Sequence, residues 1–350
     1  MFVNIVLKDA AIEFDKEYLY KVPDELVDRA VPGSCVIVPF GKSNKQEKGF
    51  ILSFSEDAES GYFIKPIIKI CEPSPMLTSD QLVLVRKVVQ KYSCSYGDAI
   101  RLMIPPDTEA GKTRSSTVYL ADEQEAQMMA SEGDFSNIGQ LRAVEYLLEY
   151  GESLQNDVIT SCQISKSTLS TLKKKGVVHF GRISQMPQHN ILKQKSARSR
   201  FELTSEQKQA LLSMTKAGTD GYKEFLLFGI TGSGKTEVYL ELIKYYLDRN
   251  LGSILLVPEI SLTPQMTARL ENRFGDNVRV LHSRLTSSER NRRWQDVLSK
   301  KAKVVAGARS AVFAPVSDLK LVIIDEEQES SYKSETHPRY HAYEIGRAHV

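Results

Sequence analysis

Residues 225–236 read Phe-Leu-Leu-Phe-Gly-Ile-Thr-Gly-Ser-Gly-Lys-Thr, and they decide the class of fold. An apolar run suited to a buried strand meets a glycine-rich loop, which opens onto the amphipathic segment Lys235–Leu247. Strand, GxxxxGKT loop and helix in that order make the phosphate-binding start of an α/β nucleotide domain. Gly229, Gly232 and Gly234 let the backbone N–H groups of the loop, those of Ile230, Thr231 and Ser233 included, approach phosphate oxygens. Lys235 reaches the β and γ phosphates, and Thr236 offers a hydroxyl to Mg²⁺. A glycine-rich turn without a ligand is the bland alternative, and the strand–helix context weighs against it.

Downstream the same period continues. Ser253–Val257, Val278–Leu281, Lys303–Ala306 and Leu319–Ile324 are apolar runs separated by helical segments, which predicts βαβ units and a parallel sheet. The last run ends in Asp325-Glu326-Glu327, so its carboxylates fall at the carboxyl edge of the sheet beside the loop. Asp325 is the expected acidic partner of Thr236 for Mg²⁺, and Glu326 the expected acceptor of a proton from the water that attacks the γ phosphate. The catalytic candidates are therefore Glu326 and Lys235, and an Asp-Glu pair favours ATP hydrolysis coupled to work.

Upstream the composition differs. A chain of 350 residues predicts two to three domains at roughly 150 residues each. Apolar residues at 41% and charged residues at 26% exclude a disordered, collagenous or coiled-coil chain. With 46 basic and 44 acidic residues the net charge is only +2, so any nucleic-acid contact must come from local patches. Cys35, Cys71, Cys94 and Cys162 form no CxxC pair and read as buried, reduced thiols. No leader and no run of 18 apolar residues is visible, which predicts a cytoplasmic chain without a membrane partner.

Residues 1–108 read as a small β-rich domain, with strands over Phe2–Leu7, Ser34–Val38, Gly49–Phe54 and Phe63–Ile70 and a closing helix over Ser79–Tyr92. Residues 109–200 open on a polar linker and hold helices over Ile138–Tyr150 and Ser165–Lys175, then a strand over Val177–Phe180. That order fits a winged helix-turn-helix, or an ordinary helical spacer with a solvated lysine face. The basic run 193–200 reads as exposed linker. Residues 201–350 form the P-loop domain.

Several further segments carry a resemblance. They are Leu203–Gln207, Val257–Gln265, Leu281–Ser283, Gly307–Pro315 and Asp325–Gln328, with Val38–Lys42 and Tyr92–Asp98 near the start. The series resembles the PriA family of replication-restart DNA helicases, also called primosomal protein N-prime, over essentially the whole chain. The resemblance implies a multidomain α/β protein: a small β-rich N-terminal domain, a winged helix, then a RecA-like parallel P-loop lobe. It implies a superfamily 2 ATPase, moving 3′ to 5′ on DNA, that recognises stalled or branched forks and starts primosome assembly with ATP and Mg²⁺. Gln207 would contact adenine; Thr263, Arg309, Ser310 and Lys42 would meet DNA; Tyr332 and Tyr340 lie in a segment like the family's aromatic-rich loop. Those tyrosines would stack on bases, or else pack against the sheet edge.

Two departures stand out. Gln328 occupies the position where the family has His, which touches the coupling of nucleotide to DNA, and Leu19 falls where an Asp reads a 3′ hydroxyl, with Asp15 four positions away. The partners implied are forked and single-stranded DNA, helicase-loading proteins and single-stranded DNA-binding protein. A second lobe with its arginine, and a zinc-binding cysteine cluster, are expected beyond Val350, so the chain reads as an N-terminal portion with feeble hydrolysis of its own. Two rival readings remain: a fork-recognition module whose partial ATPase lobe is inert, and a P-loop transport or signalling ATPase. The second leaves 257–265 and 307–315 without a purpose.

Overall fold

The computed structural model describes residues 1–9, 12–56, 63–72, 74, 76–104, 116–132, 135, 137–150, 153–162, 164–182, 203–217, 221–230, 232–282, 285 and 287–349. They fall into two compact units, one of residues 1–106, 201–283 and 292–350, the other of residues 107–200 and 284–291.

The first unit begins with β1 (Phe2–Leu7), β2 (Tyr18–Lys21), β3 (Cys35–Phe40), β4 (Lys45–Ser55) and β5 (Lys69–Ile70), in the order β2-β1-β4-β3-β5. All pairings are antiparallel, and β1 slips register against β4 at Asn4/Ile5. Alternation buries Val3, Ile5, Val36, Val38 and Ile51 on one side. At the β3–β4 turn Gly41 has φ +66°, which a glycine adopts without steric cost. The strand expected over Phe63–Ile70 contracts to β5 plus a bridge from Lys21 to Pro66, because Pro66 has no N–H for a ladder. Strand β2 was not foreseen; Tyr-Leu-Tyr-Lys is too short for period 2 to register. Two helices follow, α1 (Ser79–Tyr92) and α2 (Tyr96–Met103). Thr78 and Gln81 cap α1 reciprocally, and Ser95 caps α2.

The second unit holds β6 (Ser116–Leu120), α3 (Glu123–Glu132), α4 (Ile138–Tyr150), β7 (Ser153–Leu154), α5 (Gln155–Cys162), α6 (Lys166–Lys174) and β8 (Val178–Arg182). Its antiparallel sheet runs β7-β6-β8, and Val118, Val144, Leu147, Leu169, Leu172 and Val178 share one core with the helices. The ammonium of Lys173 sits 4.7 Å from the Phe180 ring centroid, so this lysine of the expected solvated face is engaged. Residues 109–115 of the expected linker and the basic run 193–200 lie outside the described residues.

The remainder of the first unit is α7 (Ser205–Ala217), α8 (Lys235–Leu247), β9 (Gly252–Leu256), α9 (Pro264–Phe274), β10 (Val278–Leu281), α10 (Ser287–Leu298, in this unit from Arg292 on), β11 (Val304–Gly307), β12 (Leu319–Ile324) and α11 (Ala342–Ala348). Four strands form a parallel sheet in the order β10-β11-β9-β12. Central β9 is buried throughout, whereas no residue of edge strand β12 is fully buried. The strand expected over Phe225–Phe228 is not formed. Among the described residues β12 pairs only with β9 and segment 225–228 pairs with no strand, and Phe225, Leu226 and Phe228 are 51%, 83% and 90% exposed.

The N-terminal domain docks on this lobe through α1. Gln81, 1% exposed, donates from Nε2 to the carbonyls of Met103 (3.0 Å) and Phe313 (2.9 Å). The Tyr92 hydroxyl donates to Glu344 at 2.5 Å, and Lys91 pairs with the same carboxylate at 3.1 Å. Cys35, Cys94 and Cys162 are buried and in no disulfide, as expected, but Cys71 is only half-buried. Among the described residues no helix is long and apolar enough to cross a membrane, and no group of three His, Cys, Asp or Glu side chains could hold a metal ion.

Candidate nucleotide site and nucleic-acid surfaces

The nucleotide site forms where the glycine loop meets α8. Gly232 and Gly234 take φ +80° and +81°, and the chain enters the helix with the Glu237 N–H on the Gly234 carbonyl at 2.9 Å. Left-handed backbone at both positions is what a glycine supplies and a β-carbon resists. Lys235 folds back on the loop, its Nζ donating to the carbonyls of Gly229 (2.6 Å) and Ile230 (3.3 Å). Thr231 lies outside the described residues. Gln207, near the start of α7, reaches the same loop: its Nε2 donates to the Ser233 carbonyl at 2.9 Å, and its Oε1 accepts from the Thr204 N–H at 2.9 Å. A β-carbon on Gly234 would lie 2.5 Å from that amide nitrogen, so the contact also demands glycine.

The acidic residues arrive from β12. The Asp325 N–H donates to the Leu256 carbonyl at 2.9 Å, which carries the β9 ladder one residue past the strand. Three donors then hold Asp325. Its Oδ1 accepts from the Glu326 N–H (3.1 Å), its Oδ2 from the Tyr239 hydroxyl (3.0 Å), and its carbonyl from the Tyr332 hydroxyl (2.6 Å). Burial, offset by a hydrogen bond to Thr236 and reinforced by the Asp325 charge, pushes the Tyr239 phenol far above the ordinary tyrosine range. Burial also lifts Tyr332, aided by the charges of Asp325 and Glu326. Glu326 has φ +48°, is exposed, and accepts from Gln328 Nε2 at 2.6 Å. Thr236 and Asp325 are thus linked through Tyr239, and Gln328 meets Glu326 directly.

The residues expected to meet DNA divide. Thr263 is exposed but caps α9, its hydroxyl accepting from the Met266 N–H at 3.2 Å; Ser310 is exposed. Arg309 turns inward, Nη1 donating to the carbonyls of Ser331 (3.1 Å) and Lys333, with its guanidinium 5.7 Å from the Tyr340 ring. Tyr332 and Tyr340 are 1% and 3% exposed, so neither is free to stack on a base here. This corrects the stacking expectation. Tyr340 packs edge-on against Phe313 with ring centroids 4.8 Å apart, and both rings are buried.

In the N-terminal domain an open groove of about 810 Å³ is lined by Pro39, Gly41, Lys42, Asn44, Phe63, Lys65, Pro66 and Ile68. Lys42 is exposed, Phe63 is 87% exposed, and Lys65 Nζ donates to the Gly41 carbonyl at 2.6 Å. An exposed aromatic between two lysines suits a base and its phosphate. Asp15 is committed elsewhere. Both its oxygens accept from the Tyr96 N–H at the start of α2 (3.0 and 3.1 Å), and burial raises its carboxyl pKa, opposed by that N–H. Leu19 faces Asn4 across the β1–β2 ladder.

Sequence reasoning missed Tyr239, Gln81 and Lys65. Tyr239 had a legible signal, since a residue three after Thr236 shares its helix face; the partners of Gln81 lie in Met103 and Phe313, far along the chain.

Comparisons with known proteins agree with these two parts. A family model described as PriA 3′DNA-binding domain matches residues 5–105, and one described as DEAD/DEAH box helicase matches residues 204–344. Replication restart protein PriA of Bacillus subtilis is 29% identical over 98% of this chain and 51% of its own. That of Chlamydia muridarum is 32% identical over 93% and 44%, and that of Haemophilus influenzae 29% over 98% and 47%. The chain spans about half the length of the curated relatives it matches. With a 3′DNA-binding domain docked on a helicase lobe whose P-loop helix bonds the acidic motif through Tyr239, the chain belongs to the PriA family of replication restart proteins.

Proposed function

We propose that this chain supplies the DNA-binding and first ATPase-lobe portion of an ATP-dependent, 3′-to-5′ DNA helicase of superfamily 2 that recognises stalled or branched forks and initiates primosome assembly. Residues 1–108 and a winged helix within 109–200 bind forked and single-stranded DNA; residues 201–350 bind ATP. The observation that carries the reading is that Gln207 and Lys235 both bond the glycine loop, while Tyr239, on the helix that opens from that loop, bonds Asp325 at the end of β12. Helicase-loading proteins and single-stranded DNA-binding protein are the proposed protein partners.

The donor set fits a nucleotide with Mg²⁺: a loop of backbone donors with two left-handed glycines, one ammonium, one hydroxyl and one hydrogen-bonded carboxylate. Thr236 and Asp325 would hold the ion, which when bound neutralises charge developing between the β and γ phosphates. Lys235 exchanges its carbonyl partners for phosphate oxygens. The Gln207 amide, already aimed at the loop, selects the adenine edge. Glu326, exposed on a left-handed turn, takes the proton from the attacking water. Gln328, on the Glu326 carboxylate, ties that proton acceptor to the loop that follows. Thr263, Ser310 and Lys42 form the DNA track, with Arg309 joining when its hold on 331–333 is released.

A second reading, a fork-recognition module with an inert lobe, is favoured by one observation: among the described residues segment 225–228 ahead of the loop has no strand partner. Nucleotide binding separates the two. Under the first reading the chain binds ATP with Mg²⁺ and Lys235→Ala abolishes binding, while forked DNA stimulates only slow turnover. Absence of nucleotide binding by the unsubstituted chain selects the inert lobe, and turnover as fast as a two-lobed helicase refutes the need for a second lobe.

A further inference from the structure

Asp325 is immobilised from three sides, and one of the three donors belongs to the helix that also bears Thr236. Thr236 and Tyr239 are three residues apart on α8 and so share a face. Tyr239 is 5% exposed, with its ring in the lobe core beside Leu240, Ile243 and Leu255. A buried phenol must place its hydrogen somewhere, and here it goes to Oδ2 of Asp325 at 3.0 Å. The other oxygen is held by the Glu326 N–H at 3.1 Å. A carboxylate has about four lone-pair sites, so two remain, and their direction is set by the two donors. Without the phenol the carboxylate rotates about a broad, roughly two-fold torsion.

We propose that Tyr239 is a positioning residue: its hydroxyl fixes the Asp325 carboxylate so that the remaining lone pairs face the cation held with the Thr236 hydroxyl. The proposal rests on the reading of this site as an ATP–Mg²⁺ site. Tyr239 touches neither nucleotide nor cation in this role. It acts chiefly through Asp325, its hydrogen bond with Thr236 tying the second ligand to the same hydroxyl, and the Tyr332 hydroxyl on the Asp325 carbonyl keeps the backbone in place while the side chain is oriented.

The test is Tyr239→Phe, which removes one oxygen and keeps the buried ring. Binding of a fluorescent ATP analogue to the full 350-residue chain is titrated with Mg²⁺, and separately in EDTA. The Mg²⁺ concentration for half-maximal binding should rise about tenfold, the range for loss of a group that orients a metal ligand. Binding in EDTA should not change, because the loop amides and Lys235 are untouched. On an Asp325→Ala background the same substitution should add less than it does in the parent. Superimposable Mg²⁺ curves overturn the proposal, as does a loss that is equal with and without Mg²⁺, which would mark a packing role. A shift as large on the Asp325→Ala background as in the parent also overturns it. If the unsubstituted chain binds no nucleotide under either condition, the ATP reading itself fails, and Tyr239 loses its role with it.

Discussion

Replacing Gln81 with Ala removes three hydrogen bonds, one of which, to the Phe313 carbonyl, crosses from the 3′DNA-binding domain to the helicase lobe. Nε2 no longer serves the carbonyls of Met103 and Phe313, and Oε1 no longer accepts from the Thr78 N–H at 3.1 Å. Each intramolecular bond contributes about 0.5–1.5 kcal/mol net, and a buried partner left unsatisfied costs about 1–3 kcal/mol. Gln81 is 1% exposed, so the two carbonyls gain no easy access to water, and a loss of about 2–4 kcal/mol follows for the pair together with the weakened cap. Gln81→Leu should cost nearly as much, since it refills the space without restoring a donor. Urea unfolding followed by the fluorescence of Trp294, the single tryptophan and itself buried, reports on this unit. Both variants should lower the midpoint with an unchanged slope. A loss under about 1 kcal/mol for both would refute the view that this amide ties the two domains, and a Leu variant as stable as the parent would show that the two carbonyls are satisfied by something else.

Two other outcomes are expected. Burial, with a smaller contribution from neighbouring Tyr18, pushes the Tyr20 phenol up to about 12, and its hydroxyl donates to the Pro39 carbonyl. Its folded pKa exceeds the unfolded value near 10, so the stabilisation is complete below about pH 10 and disappears as pH rises through 12; Tyr20→Phe should flatten that alkaline loss in a pH series of urea midpoints. Among the thiols, half-buried Cys71 should react first with a disulfide reagent at pH 8, whereas Cys94, pushed up to about 11 chiefly by burial, should react only on unfolding.

Local features were readable and remote ones were not. The loop at 229–236, helix α8, the four parallel strands and the position of Asp325 all follow from periodicity and motif chemistry, and the structure contains each. The strand expected at Phe225–Phe228 failed because apolar character states a preference for burial and says nothing of which neighbour supplies a ladder. Tyr332 and Tyr340 misled for a related reason. Aromatics among Lys and Arg look alike whether they await a base or pack on Phe313, and only the tertiary contact separates the cases. Arg309 is legible as a cation, but its partners are the carbonyls of Ser331 and Lys333, and backbone carbonyls leave no trace in composition. In the second unit α4 and α6 lie close to their expected spans, while α3, β6 and the two-residue strand β7 carry too weak a period to be seen.

The left-handed backbone at Glu326 sets endurance against turnover at a single residue. A β-carbon in that conformation costs about 1–2 kcal/mol, which glycine would recover. Glycine there has no side chain to take up a proton, the role proposed for Glu326. Selection of variants for heat resistance alone would therefore drift toward glycine at 326 and arrive at a sturdier molecule without that carboxylate.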